Sequence, residues 1–195
     1  MFSVLILTLN EERNLPRCLA SAGDCDDIVV LDSGSADRTT EIARAAGARV
    51  CARPFDTFAG QRNHAQREIA FRHRWVFHLD ADEQLTPELR AECRAMAARS
   101  DIDGFFVAPR MLWGGQWIPH CTDFPAWQAR FVRAPVFQFV EVGHGQREAP
   151  HMLMDRLKAN YLHDLSSGGD AEWLEKHRRY ARTEARQHQA ARADF

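Results

Sequence analysis

The sequence predicts an α/β domain: a mostly parallel, doubly wound sheet with helices on both faces, a small antiparallel extension and a C-terminal helix. Three observations predict it. Through the first hundred residues, short apolar runs alternate with segments that are apolar at helical spacing. The connections between them are short, as in stacked βαβ units. Acids and amides gather just after the apolar runs, at the carboxyl ends of strands, where sheets of this kind bind ligands.

Residues 2–9, Phe-Ser-Val-Leu-Ile-Leu-Thr-Leu, are aliphatic on both parities and read as a strand buried on both faces. With no basic stretch and no small-residue cleavage site, this run is expected to be the first strand rather than a signal peptide. Asn10-Glu-Glu-Arg-Asn14 follows, and Leu15, Cys18, Leu19 and Ala22 lie at helical spacing. Ile28–Leu31 is a second strand, ending in Asp32-Ser-Gly-Ser-Ala-Asp37. Thr39–Ala46 is helical, closed by Gly47, and Arg49–Cys51 is a third strand. Residues 55–60 read as a loop and 61–72 as a helix. A strand over 75–79 and a helix over 87–99, opened by Thr86-Pro87, complete this half. Beyond residue 100, short strands are expected over 104–111, 127–133 and 136–142, and another within 156–163. Ser166-Ser-Gly-Gly169 then breaks the chain before Asp170 caps a long polar helix. Without repeat or linker, residues 1–195 are expected to form one domain, with halves at 1–100 and 101–169 and a helix over 170–195.

Composition narrows the function classes. A net charge of −2 provides no basic field, so nucleic acid is not the expected partner. The five cysteines are odd in number, scattered and without a C-x-x-C pair, which suits reduced thiols in the cytoplasm. No apolar run is long enough to span a bilayer.

The chemistry centres on Trp75-Val-Phe-His-Leu-Asp-Ala-Asp-Glu83, a buried strand that runs out into two crowded carboxylates, Asp80 and Asp82. Such carboxylates repel unless strong donors or a cation lie among them. Mg²⁺ or Mn²⁺ held by one or two carboxylates and by substrate phosphates fits this pattern. Taken alone, the acids could also decorate a strand-to-helix turn.

Four blocks in order, Thr8-Leu-Asn-Glu-Glu-Arg-Asn-Leu15, Asp32-Ser-Gly-Ser-Ala-Asp-Arg-Thr39, Gly60-Gln-Arg-Asn-His-Ala65 and Leu79-Asp-Ala-Asp-Glu83, resemble glycosyltransferase family 2. The likeness is nearest to the branch with bacterial lipopolysaccharide-core β-glucosyltransferases. The resemblance implies a GT-A fold, a nucleotide-sugar donor, a divalent metal and inversion at the anomeric carbon. It places Thr8, Asn10, Glu11 and Asp32 around the uridine. Glu11 can accept from a ribose hydroxyl and Asp32 from the uracil N–H; taken alone, Asn10 and Glu11 could instead cap the first helix and Asp32 shape a turn, and the resemblance favours the uridine. Arg62 stands where relatives carry Lys, and is either a cation for the diphosphate or a solvated helix residue. Asp80 would lie near the ribose, and Asp82 with His163 would hold Mg²⁺ or Mn²⁺.

Inversion needs a base, and Val142-Gly-His-Gly-Gln-Arg-Glu148 departs from the family's V-H-E. Glu148 takes the acid position, or pairs structurally with Arg147 or Arg130. Asp123 and Glu141 compete for the role, and His144 could orient acceptor or phosphate. Trp113-Gly-Gly-Gln-Trp117 reads as a sugar-stacking surface or as a hairpin turn with core indoles. The last helix sets Trp173, Leu174, His177, Tyr180 and Ala181 on one side and Lys176, Arg179, Arg182 and Arg186 on another. It is either solvated or laid on an anionic bilayer. Relatives usually continue past this point, so a short or truncated form is expected. The implied function is hexose transfer from a UDP-sugar to a hydroxyl of a surface-glycan or lipid-linked glycan acceptor. It would take place in the cytoplasm, with peripheral contact at the inner membrane. The alternative is a catalytically idle nucleotide-sugar-binding module. A nucleotidyltransferase would carry a Gly-rich loop where Asn-Glu-Glu-Arg stands.

Overall fold

The computed structural model describes residues 1–121, 124–143 and 145–193. Its first half winds as the alternation predicts: β1 (Ser3–Thr8), α1 (Leu15–Ala22), β2 (Ile28–Asp32), α2 (Thr39–Ala45), β3 (Arg49–Ala52), α3 (Phe58–Glu68), β4 (Trp75–Asp80), β5 (Glu83–Gln84) and α4 (Pro87–Met96). The second half adds β6 (Gly104–Val107), β7 (Pro109–Trp113), β8 (Gln116–Trp117), β9 (Gln128–Arg133), β10 (Phe139–Val142), β11 (Gly145–Glu148), β12 (Met154–Arg156), β13 (Tyr161–Asp164) and α5 (Asp170–Ala193). A seven-stranded sheet has the order β12-β6-β9-β4-β1-β2-β3, and its β4-β1-β2-β3 part is parallel. β9 runs antiparallel to β4 and β6.

Both faces of β1 are buried, and each meets a different layer. Val4 and Ile6 pack with Leu15, Cys18 and Leu19 of α1 and with Leu89 and Cys93 of α4. Leu5 and Leu7, of the opposite parity, pack with Ala65 and Phe58 of α3. That two-sided burial is why the strand shows no polar alternation.

Several boundaries differ from the expectation. α3 starts at Phe58 rather than 61, because Thr57 caps it: the Thr57 side chain accepts from the Gly60 amide at 2.9 Å. It ends at Glu68 rather than 72, with Ile69 extended and the Arg72 amide donated to Asp27 at 2.8 Å. α4 stops at Met96, and the strand expected from residue 136 begins only at Phe139. Gly169, not Asp170, occupies the cap of α5, its carbonyl accepting from the Trp173 amide at 3.0 Å.

The expected strand over 104–111 divides at Ala108, and the one within 156–163 divides over residues 157–160. In each case the first piece lies in the large sheet and the second in a small one ordered β5-β13-β7-β8. The pairs β6–β12 and β7–β13 are both parallel, so the two chain passes leave the large sheet side by side. Asn160 pins the crossing by donating to the Ala108 carbonyl at 3.0 Å.

At the opposite end of the large sheet, Asp27 ties three segments together. Its carboxylate accepts from the Ser3 hydroxyl at 2.5 Å, the Arg72 amide at 2.8 Å and Arg49 at 2.8 Å. Burial alone would raise its pKa, but these donors hold it below the ordinary carboxylate range. Asp27→Asn should therefore lower unfolding stability at pH 7 by about 1.5–3 kcal/mol, read from urea midpoints. A depressed folded pKa contributes stability above the unfolded value and loses it as pH falls through the folded one. The gap between the two proteins should therefore close as pH falls below about 4.

Candidate active site

Residues expected at the site come together at the carboxyl ends of β1, β2 and β4, where Thr8 pairs in register with Asp32 and Leu7 with Asp80. Asp32 is almost fully buried, yet four donors serve it. The Thr8 and Ser35 hydroxyls donate to one oxygen at 2.9 and 2.5 Å, and the Gly34 and Ser35 amides to the other at 3.0 and 2.8 Å. Burial would raise its pKa, but these donors lower it. What Asp32 visibly does is fold the turn that follows it, with Gly34 at φ +100° where a side chain would be strained.

Asn10, at φ +56°, interlaces this turn with the β1–α1 loop. Its amide N–H donates to Ser35 at 2.8 Å, and its side-chain oxygen accepts from the Ala36 amide at 2.9 Å. The Glu11 amide donates to Thr39 at 2.7 Å, and the Glu11 carboxylate accepts from Asn14 at 2.8 Å. Arg17 then links Asn14, at 2.9 Å, to Asp164 on β13, at 2.5 Å.

Three successive residues of α3 each grip a different part of the site. Gln61 donates to Ser33 at 3.3 Å and to the carbonyls of Arg53 and Pro54 at 3.2 and 3.0 Å. Arg62 donates to Asp80 at 2.8 Å. Asn63 exchanges two hydrogen bonds with the backbone of Phe139, each 2.8 Å. A Cβ at the preceding Gly60 would lie 2.5 Å from the Asp56 carboxylate oxygens, so a larger residue there would have to displace that side chain.

Arg62 is not open to a diphosphate as expected. Its side chain is wholly buried, with Phe139 packed 5.9 Å from the guanidinium, and among the described residues its Nε and Nη1 have no partner. Its charge reaches the site through Asp80.

Asp80 also meets Arg130, which the motif reading treated only as a structural partner for Glu148. Arg130 instead uses all five N–H groups elsewhere: on Gln128 at 3.0 Å, the His78 carbonyl at 3.3 Å, both approaches to Asp80 at 3.2 Å and Glu83 at 2.7 Å. Glu83 in turn accepts the Asp80 amide at 2.8 Å. Burial would raise Asp80, but Arg62 and Arg130 hold it well below the usual range, whereas burial dominates at Glu83 and raises it. Two arginines thus balance two carboxylates beneath the acidic tip. The sequence signal for Arg130 was a charged residue on an otherwise apolar strand, Ala129-Arg-Phe-Val132.

Asp82, beyond that cluster, faces His163 across the small sheet, with Oδ2 and Nε2 3.4 Å apart. Burial would depress the imidazole pKa, but the Asp82 hydrogen bond and the charges of Asp82, Glu83 and Asp80 raise it. One carboxylate and one imidazole are an open donor set that leaves positions for phosphate oxygens; the carboxylate suits Mg²⁺ or Mn²⁺, and the imidazole nitrogen suits Mn²⁺ better than the harder Mg²⁺. No group of three or more His, Cys, Asp or Glu suited to a metal gathers among the described residues.

Glu148 lies on the β10–β11 hairpin, opposite Phe139, and Glu141 lies opposite Gln146 on the same hairpin. Asp123 and His144 lie outside the described residues. Trp113 and Trp117 flank a two-glycine turn with φ values of +57° and +78°. Neither indole is a core residue: Trp117 packs edge-on to Phe124 at 5.5 Å and Trp113 edge-on to Trp173 at 5.6 Å. On α5, Arg179 and Arg182 are exposed, while the side chains of Lys176, Tyr180 and Arg186 lie outside those described. No helix is long and apolar enough to cross a membrane, among the described residues.

Residues 3–122 match the model of a family described as glycosyl transferase family 2. An uncharacterized glycosyltransferase of Rickettsia bellii is 34% identical over 106 residues, covering 54% of this chain and 35% of that protein. The lipopolysaccharide core biosynthesis glycosyltransferase LpsC of Rhizobium meliloti is 38% identical over 114 residues, 55% of this chain and 42% of its own. The chain therefore spans well under half the length of these relatives. Among solved structures, S. aureus TarS 1-349 in complex with UDP-GlcNAc superposes with a TM-score of 0.60 at 17% identity, covering 84% of this chain and 58% of that one. That likeness establishes the shared GT-A fold.

The buried charge cluster generates a stability prediction. Arg130→Met should strand the buried Glu83 carboxylate, leave Asp80 with Arg62 alone, and lower unfolding stability by about 3–5 kcal/mol. Adding Glu83→Gln should recover part of that loss, a coupling visible in a double-mutant cycle of denaturation midpoints.

Proposed function

The chain belongs to glycosyl transferase family 2, and from that premise we infer that it moves a hexose from a UDP-sugar to a hydroxyl of a bacterial surface-glycan or lipid-linked glycan acceptor, with inversion. The observation that carries this reading is the approach of Asp82 and His163 to 3.4 Å beside an Asp80 already neutralised by arginines. Asp80 is therefore satisfied by the protein, and Asp82 with His163 would hold Mg²⁺ or Mn²⁺. When bound, that ion supplies positive charge to the diphosphate and to the leaving UDP.

The chain's own residues do the rest. Thr8, Asn10, Glu11 and Asp32 form the wall proposed for the uridine, with Glu11 accepting from the ribose and Asp32 holding the turn on which the base rests. Arg62 acts through Asp80. Glu148 takes the proton from the acceptor hydroxyl as its oxygen bonds to the anomeric carbon, and the bond from that carbon to UDP breaks with its electron pair leaving on the phosphate. The role of LpsC in lipopolysaccharide core biosynthesis and the UDP-GlcNAc complex of TarS agree with this acceptor and donor class. The exposed arginines of α5 suit a peripheral contact at the cytoplasmic face of the inner membrane. The departure from V-H-E favours one second reading, a nucleotide-sugar binder that does not turn over. Release of UDP on adding acceptor separates the two.

In titration calorimetry, Asp82→Ala should weaken Mn²⁺-dependent UDP binding by at least about tenfold, and unaltered metal dependence would defeat the assignment. Glu148→Gln should keep UDP-sugar affinity while turnover drops on the order of 10²–10⁴-fold. Retained turnover would move the base to Glu141 or Asp123.

A further inference from the structure

The hairpin β10–β11 stands apart from both larger sheets: among the described residues its two strands pair only with each other. A two-stranded hairpin is marginal by itself, so its position depends on what it docks against. The dock is α3. Asn63 donates its side-chain N–H to the Phe139 carbonyl and accepts the Phe139 amide on its side-chain oxygen, both at 2.8 Å, as a neighbouring strand would. The Phe139 side chain is buried, its ring 4.8 Å from that of Phe137 and 5.2 Å from that of His78. Directly across the hairpin from Phe139 sits Glu148, and paired residues in an antiparallel ribbon share a face.

The two residues before Asn63 fix the same helix turn to the rest of the site, Gln61 to the loops at 33 and 53–54 and Arg62 to Asp80. We propose that Asn63 is a positioning residue: its amide clamps the backbone of Phe139 and so sets where the hairpin holds Glu148 relative to the donor-binding strand ends. The proposal rests on the reading of Glu148 as the base. Asn63 touches no reacting atom. Its effect is geometric, since a displacement of about 1 Å at a reacting group can cost on the order of 100-fold in rate.

The test uses Asn63→Ala and Asn63→Asp in the full chain. The aspartate keeps the shape but sets a carboxylate oxygen against the Phe139 carbonyl. Both should lower kcat by roughly 10- to 100-fold, leave the UDP affinity measured by calorimetry within about twofold, and accelerate hydrogen exchange at the Phe139 amide. Preserved UDP affinity separates a positioning effect from general loss of fold. An unchanged kcat overturns the proposal, and so does a loss of UDP affinity in step with kcat. On a Glu148→Gln background, Asn63→Ala should add little further loss if the clamp works through that acid; a full additional loss overturns that route. If Glu148→Gln alone retains turnover, the base assignment fails, while a kcat-only loss in Asn63→Ala still upholds the clamp on the hairpin.

Discussion

The constraint on which the molecule depends is a balance of buried charge. Asp80 ends the central strand β4 and Glu83 opens β5, with Arg62 and Arg130 packed against them. Removing ions from water costs several kcal/mol each, and only close pairing with filled hydrogen bonds offsets that cost. Arg130 meets the condition by using every N–H it has, and so it fixes β9 against β4 at the point where the acidic tip emerges. Asp82, between the two clustered acids in sequence, faces His163 instead, with Oδ2 and Nε2 3.4 Å apart.

The second organising feature is the turn of α3 around residues 60–63. Helices usually bury an apolar stripe, but this one buries Gln61, Arg62 and Gln66 together with Ala59 and Ala65. Its polar groups substitute for packing: each contacts a segment distant in sequence, so a single helical turn sets the spacing between the Asp32 loop, the Asp80 tip and the outer hairpin. Errors of placement at one of these would be transmitted to the others through a rigid element rather than absorbed by a loop.

The same inversion explains what could and could not be read from the sequence. The parallel half was legible because Val4 and Leu5 on β1, and Val29 and Val30 on β2, are buried on opposite faces of their strands and the helices between them keep an apolar period. Asn10, Glu11, Asp32 and Asp80 were legible because they follow those strands at once. Arg62 read as facing a ligand or solvent because a charged residue on a polar helix gives no sign of burial. Arg130 lay hidden because its partners are 47 and 50 residues away. The split at Ala108 has no turn signal, only a proline at the start of the next strand, and the cap at Thr57 was masked by the aromatic and glycine residues around it.

The saturated carboxylate of Asp32 bears on how a ligand would be met. Four internal donors already hold the turn at residues 32–35 in its final shape. The conformational entropy of that segment is surrendered when the chain folds, not when a ligand arrives. Recognition at the proposed wall would therefore be lock-like, with affinity set by complementarity to a rigid rim and exchange rates governed by the mobile partner rather than by the loop.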